Sequence, residues 1–275
     1  IMVISRASVF GIIALGQAVV IISGGFDLSV GSLVAVAITV IASITVEGNL
    51  LIATILGILI ASGLGSINGL IIAKTRVPPF IVTLGMMSIA RSISWLVIAG
   101  KDIVLYEYKN LIQPLFSNIP MGANIFPIII LIFCSFATFL ILHRSRLGRY
   151  FYSIGGNEKT AIASGVSVAR IKILVYTISG FFCSIAAIVY LYRICGASPA
   201  IGEEFLLQSI AAATIGGVYM YGGEGNVGGV LIGIFILASI TNVLNIAGFP
   251  PVIHKAILGG IILITVLLQR WLKRE

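Results

Sequence analysis

Charge is scarce in this sequence. Charged side chains make up 9% of its 275 residues and hydrophobic ones 59%, whereas about a quarter of a typical soluble domain is charged. A globular chain of this length cannot cover a water-facing surface with so few charges, and a disordered chain would be far less apolar. The composition therefore excludes a soluble enzyme and predicts a protein that crosses a membrane several times, with lipid around most of its surface.

Cysteine, histidine and the usual catalytic motifs are scarce as well. The three cysteines lie far apart, the two histidines are isolated, and no group has the spacing of a metal site. The phosphate-binding GxxxxGK[ST] pattern and the nucleophile elbow are both missing. We therefore expect no enzymatic activity, metal or cofactor in this chain, so any ATP that drives it is hydrolysed by another chain.

Long apolar runs fill most of the chain, and they are continuous rather than alternating, which favours membrane helices over the strands of a barrel. Nine such segments span residues 8–23, 31–46, 50–73, 80–99, 125–142, 173–193, 209–221, 228–247 and 254–269. The first, seventh and ninth are shorter than the about 20 residues of a straight span, so short, tilted or broken helices are expected. The predicted fold is an all-α polytopic membrane helix bundle that forms one transmembrane domain over residues 1–275.

Basic residues set the predicted orientation. The net charge is +8, and the basic residues concentrate around Lys74, in residues 143–172 and in residues 270–274. Such clustering follows the positive-inside rule, which explains the charge more simply than nucleic-acid binding does. All three regions are therefore expected in the cytoplasm. Residues 1–7 then fall outside, and a cytoplasmic amino terminus would need one more helix upstream.

The basic loop at residues 143–172 contains a short predicted helix. Asn157 suits an N-cap, Glu158 adds an acid to the first turn, and Gly165 suits a C-terminal stop. Residues 158–164 are thus expected to form about two helical turns. Small side chains would let this helix insert into a groove of a partner; they are Ala161, Ala163 and Ser164. An ordinary surface helix held by anionic lipid is the alternative.

A glycine-rich segment at residues 23–32 interrupts the apolar sequence. Asp27 is the one ionisable residue within residues 9–46, and such a residue is costly where it faces lipid. It fits a broken helix whose freed backbone lines a polar pathway. Alternatively, Asp27 or Ser29 caps the helix that follows. Residues 222–229 are weakly similar to this segment, which reflects either an internal duplication or chance.

Several stretches together point to one family. The specific ones are GGFDLSVGS at 24–32, INGLIIAKTRVPPFIVTLGMMSIAR at 67–91 and LGRYFYSIGGNEKTAIASGVSV at 147–168, joined by ASPAIGE at 197–203, IAAATIGG at 210–217 and GGEGNVGGVLIG at 222–233. With these the chain resembles, over nearly its whole length, the membrane permease subunit of bacterial ABC importers for monosaccharides. That group belongs with the branched-chain amino-acid permeases in a wider superfamily.

The resemblance implies ten membrane helices in the inner membrane of a bacterium, with the first helix upstream of this sequence. It also implies a cytoplasmic ATP-binding subunit, an external sugar-binding protein and a second permease subunit, identical or different. The predicted helix at 158–164 would then be the coupling helix that docks on the ATPase. The residues expected to act there are Gly155, Gly156, Asn157, Glu158, Ala161, Ser164 and Gly165.

A sugar is neutral and heavily hydroxylated, so a pathway for alternating access needs polar groups without fixed charge. Amides within apolar helices can bond such a solute, although joining two helices is their commoner use. Arg91 lies in an apolar segment and needs a partner or a route to the membrane surface. The predicted pathway residues are Asp27, Ser29, Asn68, Phe80, Thr83, Asn242 and Asn245.

The chain departs from the family pattern at three positions. Family members commonly carry Glu and Asp where this chain has Leu206 and Gln208, and a basic residue where it has Leu258. An ABC permease for a nucleoside, a branched-chain amino acid or another sugar derivative is therefore an alternative. A proton-coupled secondary transporter, which would use Asp27 or Glu224, and a membrane scaffold without transport are two more.

Overall fold

The computed structural model describes residues 2–75, 77–106 and 122–272. Its longer helices are α1 (Met2–Ile22), α2 (Val30–Val46), α3 (Leu50–Lys74), α4 (Pro79–Val97), α5 (Gly122–Phe139), α8 (Val168–Ile194), α9 (Glu203–Ile215), α10 (Val227–Ile246) and α11 (Pro251–Leu272). Between α5 and α8 lie a π-helical turn (Leu140–Arg144) and two short helices, α6 (Arg146–Gly156) and α7 (Glu158–Ala163). Among the described residues, seven helices are long and apolar enough to cross a membrane. The predicted all-α polytopic fold is confirmed.

Three segment lengths test the prediction of short helices. The first and ninth segments were predicted to be short, but α1 has 21 residues and α11 has 22. Both helices extend through polar residues that the apolar pattern left out, Arg6 in α1 and Arg270 in α11. The seventh segment is short, as predicted. α9 has 13 residues and ends at Ile215, before Gly217, whose positive φ of 81° interrupts the helix.

The core of the bundle surrounds α1. About 89% of its most apolar window is buried, against 6% for α11, so α1 runs through protein while α11 lies at the periphery. α1 packs against α5, α8, α9 and α10, and α3 lies along α8. Glycines allow that close contact, because a β-carbon at Gly69 would lie 2.6 Å from the Ile173 Cα and one at Gly180 would overlap the Ala61 carbonyl.

The two ends of the bundle carry different structures. At one end, β1 (Ile103–Val104) pairs antiparallel with β2 (Gly196–Ala197), which ties the chain after α4 to the chain after α8. At the other end, a cavity of about 230 Å³ is lined by residues of the α1–α2 break, of the end of α3, of the start of α4, and of α6, α7 and α8. The basic loops around Lys74 and at residues 143–172 therefore share one end, as the positive-inside rule requires.

Candidate functional site

The short helix α7 has the ends that the sequence predicts. The Asn157 side chain accepts a hydrogen bond from the Thr160 backbone N–H at 3.0 Å, which satisfies one free donor of the first turn. The helix ends at Ala163, and Gly165 follows with a φ of 81°. The predicted helix at residues 158–164 is therefore confirmed to within one residue.

One face of α7 packs against the chain and the other is exposed. Ala161 is completely buried, whereas 57% of the Ile162 surface is exposed. The sequence predicted that Ala161 would insert into a partner, and the structure corrects this: the helix turns that side chain inward. The exposed face, called here the α7 face, consists of Lys159, Thr160, Ile162, Ala163 and Ser164.

An ion pair joins α7 to a membrane helix. Lys172 Nζ in α8 donates to both carboxylate oxygens of Glu158, at 2.7 and 2.9 Å. The pair is partly exposed, so its contribution to stability is at most about 1 kcal/mol. Its geometric effect is larger, because the two oxygens fix the first turn of α7 against the start of α8.

α6 carries α7 and rests on the ends of α1 and α10. A β-carbon at Gly155 would overlap the Ile22 carbonyl oxygen, which itself accepts from the Gly223 N–H at 2.8 Å. Tyr152 donates to the Gly225 carbonyl at 2.7 Å. Burial raises the pKa of the Tyr152 phenol, so it stays a proton donor. The segment at residues 222–229, which is similar to residues 24–31, thus lies beside the end of α1.

Asp27 lies in a buried hydrogen-bonded cluster. Its Oδ1 accepts from the Ser29 N–H at 2.9 Å and from the Ser29 hydroxyl at 2.6 Å, and its Oδ2 accepts from the Ser179 hydroxyl at 2.8 Å. Asn68 donates to the Ser29 hydroxyl at 3.0 Å. Asp27, Ser29 and Asn68 are all fully buried. These bonds connect the α1–α2 break to α3 and α8. Asp27 binds the N–H of Ser29, the residue before α2, and the Ser29 side chain makes no capping bond to the first turn of that helix.

Tyr176 holds the residue before Asp27. Its hydroxyl accepts from the Phe26 N–H at 3.2 Å and donates to the Phe26 carbonyl at 3.3 Å. Thr83 Oγ1 lies 3.3 Å from the same carbonyl and 3.0 Å from the Pro79 carbonyl. The sequence indicated Thr83 but missed Tyr176 and Ser179. The available signal was their spacing, because residues three apart share one helix face and both are polar within an apolar helix.

The starts of α2 and α9 meet inside the bundle. A β-carbon at Gly31 would overlap the Gly202 carbonyl oxygen, and a β-carbon at Gly202 would overlap the Gly31 carbonyl oxygen. Arg91 of α4 fixes the approach to this contact, since its Nη1 donates to the carbonyls of Pro199 at 2.5 Å and Ile201 at 2.7 Å. Arg91 therefore finds the partner that the sequence analysis required in the loop between β2 and α9.

Two cavities lie near these elements. The central cavity, about 340 Å³, is lined by residues around the Gly31–Gly202 contact, including Ser32, Ser88, Arg91 and Leu206. The outer cavity, about 440 Å³, lies among α1, α8, α9, α10 and α11; its polar lining includes Arg6, Arg193, Glu204, Gln208, Asn242 and Asn245.

The predicted pathway residues therefore fall in three places. Asp27, Ser29, Asn68 and Thr83 surround the α1–α2 break, as described above. Phe80 is about half exposed at the start of α4, and Asn242 and Asn245 line the outer cavity. The structure does not bring these seven residues into one site.

The departures from the family pattern also lie at the cavities. Gln208 and Leu258 both line the outer cavity, and Leu206 lines the central one. The sequence identified these three positions but could not show that two of them share one cavity, because Gln208 lies in α9 and Leu258 in α11.

The long apolar helices of the described residues define a multi-pass membrane protein. Comparison with known proteins agrees: the family described as "Branched-chain amino acid transport system / permease component" matches residues 1–266. The chain belongs to this family, and its place is the bacterial inner membrane. The expected family membership is confirmed.

Individual relatives are similar over almost the whole chain. The chain is 35% identical to the ribose import permease protein of Bacillus subtilis over 270 residues, which are 96% of this chain and 82% of the relative. It is 36% identical to the ribose import permease protein of Escherichia coli K12, covering 97% and 84%. It is 29% identical to the fructose import permease protein of Rhizobium meliloti, covering 99% and 78%. No solved structure gave a significant match.

Proposed function

We propose that this chain is the membrane subunit of an ATP-driven importer that moves a monosaccharide by alternating access. A cytoplasmic ATP-binding subunit supplies the energy, an external sugar-binding protein delivers the solute, and a second permease subunit completes the pathway. The similarity to import permeases for ribose and fructose supports a sugar as solute. The chain itself supplies the membrane passage and no ATPase site.

The observation that carries the proposal is the α7 face. A two-turn helix that is capped by Asn157, ion-paired through Glu158 and exposes Ile162 is built to present a rigid surface rather than to span a membrane. Ile162 gives this face an apolar centre with a polar rim, which is the arrangement of protein interfaces. In the proposed importer, this face docks on the ATP-binding subunit, and Gly155, Gly156, Gly165 and the buried Ala161 shape its support.

A path of contacts leads from the α7 face towards the membrane interior. Glu158 binds Lys172, and one turn further along α8 Tyr176 binds Phe26. Ser179, another turn on, binds Asp27. Movement of α7 with the ATPase would therefore act through α8 on the α1–α2 break. We propose that this displacement changes the contact between the starts of α2 and α9 and so alternates the access to the pathway.

The proposal is tested by reconstituting the full-length permease with the ATPase and binding protein encoded beside it. The variant Ile162→Glu places a charge at the centre of the α7 face. We expect it to abolish both co-purification of the ATPase and ATP-dependent uptake of ribose into vesicles. Val104→Glu is the matched control, because Val104 is also apolar and is more exposed than Ile162 but lies in β1, at the other end of the bundle. Normal ATPase binding and uptake by Ile162→Glu would contradict the proposal.

A different solute is the second candidate, and the cavity linings favour it. Leu206, Gln208 and Leu258 all remove a charge that the family pattern carries, and all three line a cavity. A pathway with this changed polarity could select a nucleoside, an amino acid or a sugar derivative. The ligand that purifies with the external binding protein distinguishes these solutes from a simple pentose.

A further inference from the structure

The outer cavity combines an apolar wall with an excess of positive charge. Arg6, Arg193 and Lys255 line it together with one acid, Glu204. Its apolar lining comes from side chains such as Phe10 and Phe205. The cavity is therefore amphipathic, and three cations face one anion across about 440 Å³.

Among the residues that the structure describes, the three cations of this cavity form no ion pair, although Glu204 lies in the same lining. Within residues 2–75, 77–106 and 122–272, the one ion pair is Lys172–Glu158 at the other end of the bundle. Arg6 and Arg193 lie close enough for their charges to repel each other. Arg193 is partly buried and Arg6 is exposed, and two guanidinium groups this close repel each other unless an anion lies between them. Their arrangement thus leaves a place for a negatively charged group.

Neutral hydrogen-bonding groups complete the lining. The imidazole Nε2 of His254 is buried and has no hydrogen-bond partner among the described residues. The amides of Gln208, Asn242 and Asn245 line the same space. A buried polar atom without a partner costs free energy that a bound ligand would recover.

We propose that the outer cavity binds a phosphate group, held chiefly by Arg6 and Arg193. Guanidinium groups bind phosphate through paired N–H donors, which is the geometry that planar arginine side chains supply best. The apolar wall fits the glycerol and the first acyl carbons of an anionic phospholipid, whose headgroup carries such a phosphate. A soluble phosphate ester offers the same chemistry without the acyl chains. The proposal does not depend on the transported solute.

The test uses the full-length chain purified in detergent and examined by native mass spectrometry. It is supplied in turn with phosphatidylglycerol, phosphatidylethanolamine and glycerol 3-phosphate. The variants are Arg6→Gln, Arg193→Gln and the two combined. The control is Lys101→Gln, which removes a cation from the same end of the bundle but outside the cavity. We expect the double variant to retain phosphatidylglycerol at least tenfold less than the unmodified chain, and the control to retain it equally.

Competition separates the two sources of phosphate. If glycerol 3-phosphate displaces phosphatidylglycerol, the site recognises the phosphate alone; if it does not, the site recognises a lipid headgroup together with its chains. Either result supports the proposal provided that the arginine variants lose binding. Equal retention of phosphatidylglycerol by the double variant and the unmodified chain overturns it. Phosphatidylethanolamine, whose ammonium group offsets the charge of its phosphate, should be retained less than phosphatidylglycerol.

A second measurement covers the case in which the double variant does not fold. The thermal unfolding midpoint of the unmodified chain and of Arg193→Lys is followed as phosphatidylglycerol is added. A ligand that binds only the folded state raises this midpoint. We expect a clear rise for the unmodified chain and a smaller one for Arg193→Lys, which keeps the charge but loses the paired donors. A midpoint that does not change in the unmodified chain overturns the proposal.

Discussion

Lys172 and Glu158 connect a membrane-spanning helix to the short helix α7, at the end of the bundle opposite the β1–β2 pair. The lysine Nζ lies within 2.9 Å of both carboxylate oxygens, so the first turn of α7 cannot rotate away from α8 without breaking the pair. Because the pair is partly exposed, water and salt weaken its contribution to stability. Its value lies in fixing the position of α7.

The first prediction tests whether the Lys172–Glu158 pair fixes the position of α7 or stabilises the folded permease. We expect Glu158→Gln to leave the yield of folded permease unchanged, because the pair contributes less than about 1 kcal/mol, and to lower ATP-driven uptake several-fold. The charge-reversed double variant, Glu158→Lys with Lys172→Glu, should recover much of the uptake. Asp102→Asn is the control, since Asp102 is an exposed acid at the opposite end. Loss of uptake without recovery in the double variant would argue against a positional role.

The second prediction concerns Tyr176. The change Tyr176→Phe removes the hydroxyl that binds both the N–H and the carbonyl of Phe26. Thr83 Oγ1 still contacts the carbonyl, so the part-buried N–H is the group that loses its partner, at a cost of about 1–3 kcal/mol. We expect a lower thermal unfolding midpoint for the purified protein. Tyr221→Phe should leave the midpoint unchanged, because 60% of the Tyr221 surface is exposed. Equal midpoints for the two variants would show that the Phe26 contacts are not stabilising.

The third prediction uses two adjacent glycines. A β-carbon at Gly155 would overlap the Ile22 carbonyl oxygen, whereas one at Gly156 has nothing within 4 Å. Gly155→Ala should therefore force α6 away from the end of α1 and sharply reduce the folded protein in the membrane. Gly156→Ala should change the stability by less than about 0.5 kcal/mol, as is usual for exposed substitutions. Fluorescence-detected gel filtration of both variants measures the difference, and equal yields would show that α6 can shift without cost.

The fourth prediction distinguishes a structural Asp27 from a proton carrier. Asn has the same shape, can accept the two hydrogen bonds from Ser29 and can donate to the Ser179 hydroxyl. Asp27→Asn should therefore fold and transport, whereas Asp27→Ala leaves buried donors unpaired and should fold poorly. Uptake in vesicles with and without a proton gradient provides the measurement. Asp27→Asn that folds normally but no longer transports would revive the proton-coupled alternative.

The sequence predicts the local elements well because they depend on nearby residues. Asn157, Glu158 and Gly165 fix the ends of α7 through side chains and backbone angles within eight positions, and the structure reproduces them. The clustering of basic residues likewise places the loops that share one end of the bundle. The apolar pattern was less successful at α1 and α11, because it discards polar residues that continue a helix.

Local sequence patterns do not predict contacts between distant segments. Nothing near Arg91 indicates that its partners are the carbonyls of Pro199 and Ile201, more than a hundred positions away. Asn242 and Asn245 also join a cavity with Arg6 only after five helices assemble. The predicted pathway therefore mixed residues from three places.

The burial of α1 has a consequence for how the protein is made. Its neighbours α8, α9 and α10 are synthesised long after it. During that interval the serines and Gln17 of α1, all later enclosed, must remain in lipid or against transient partners. Membrane insertion of the early helices thus precedes completion of the fold, and a truncation before α10 would leave part of α1 uncovered and exposed to quality-control proteases.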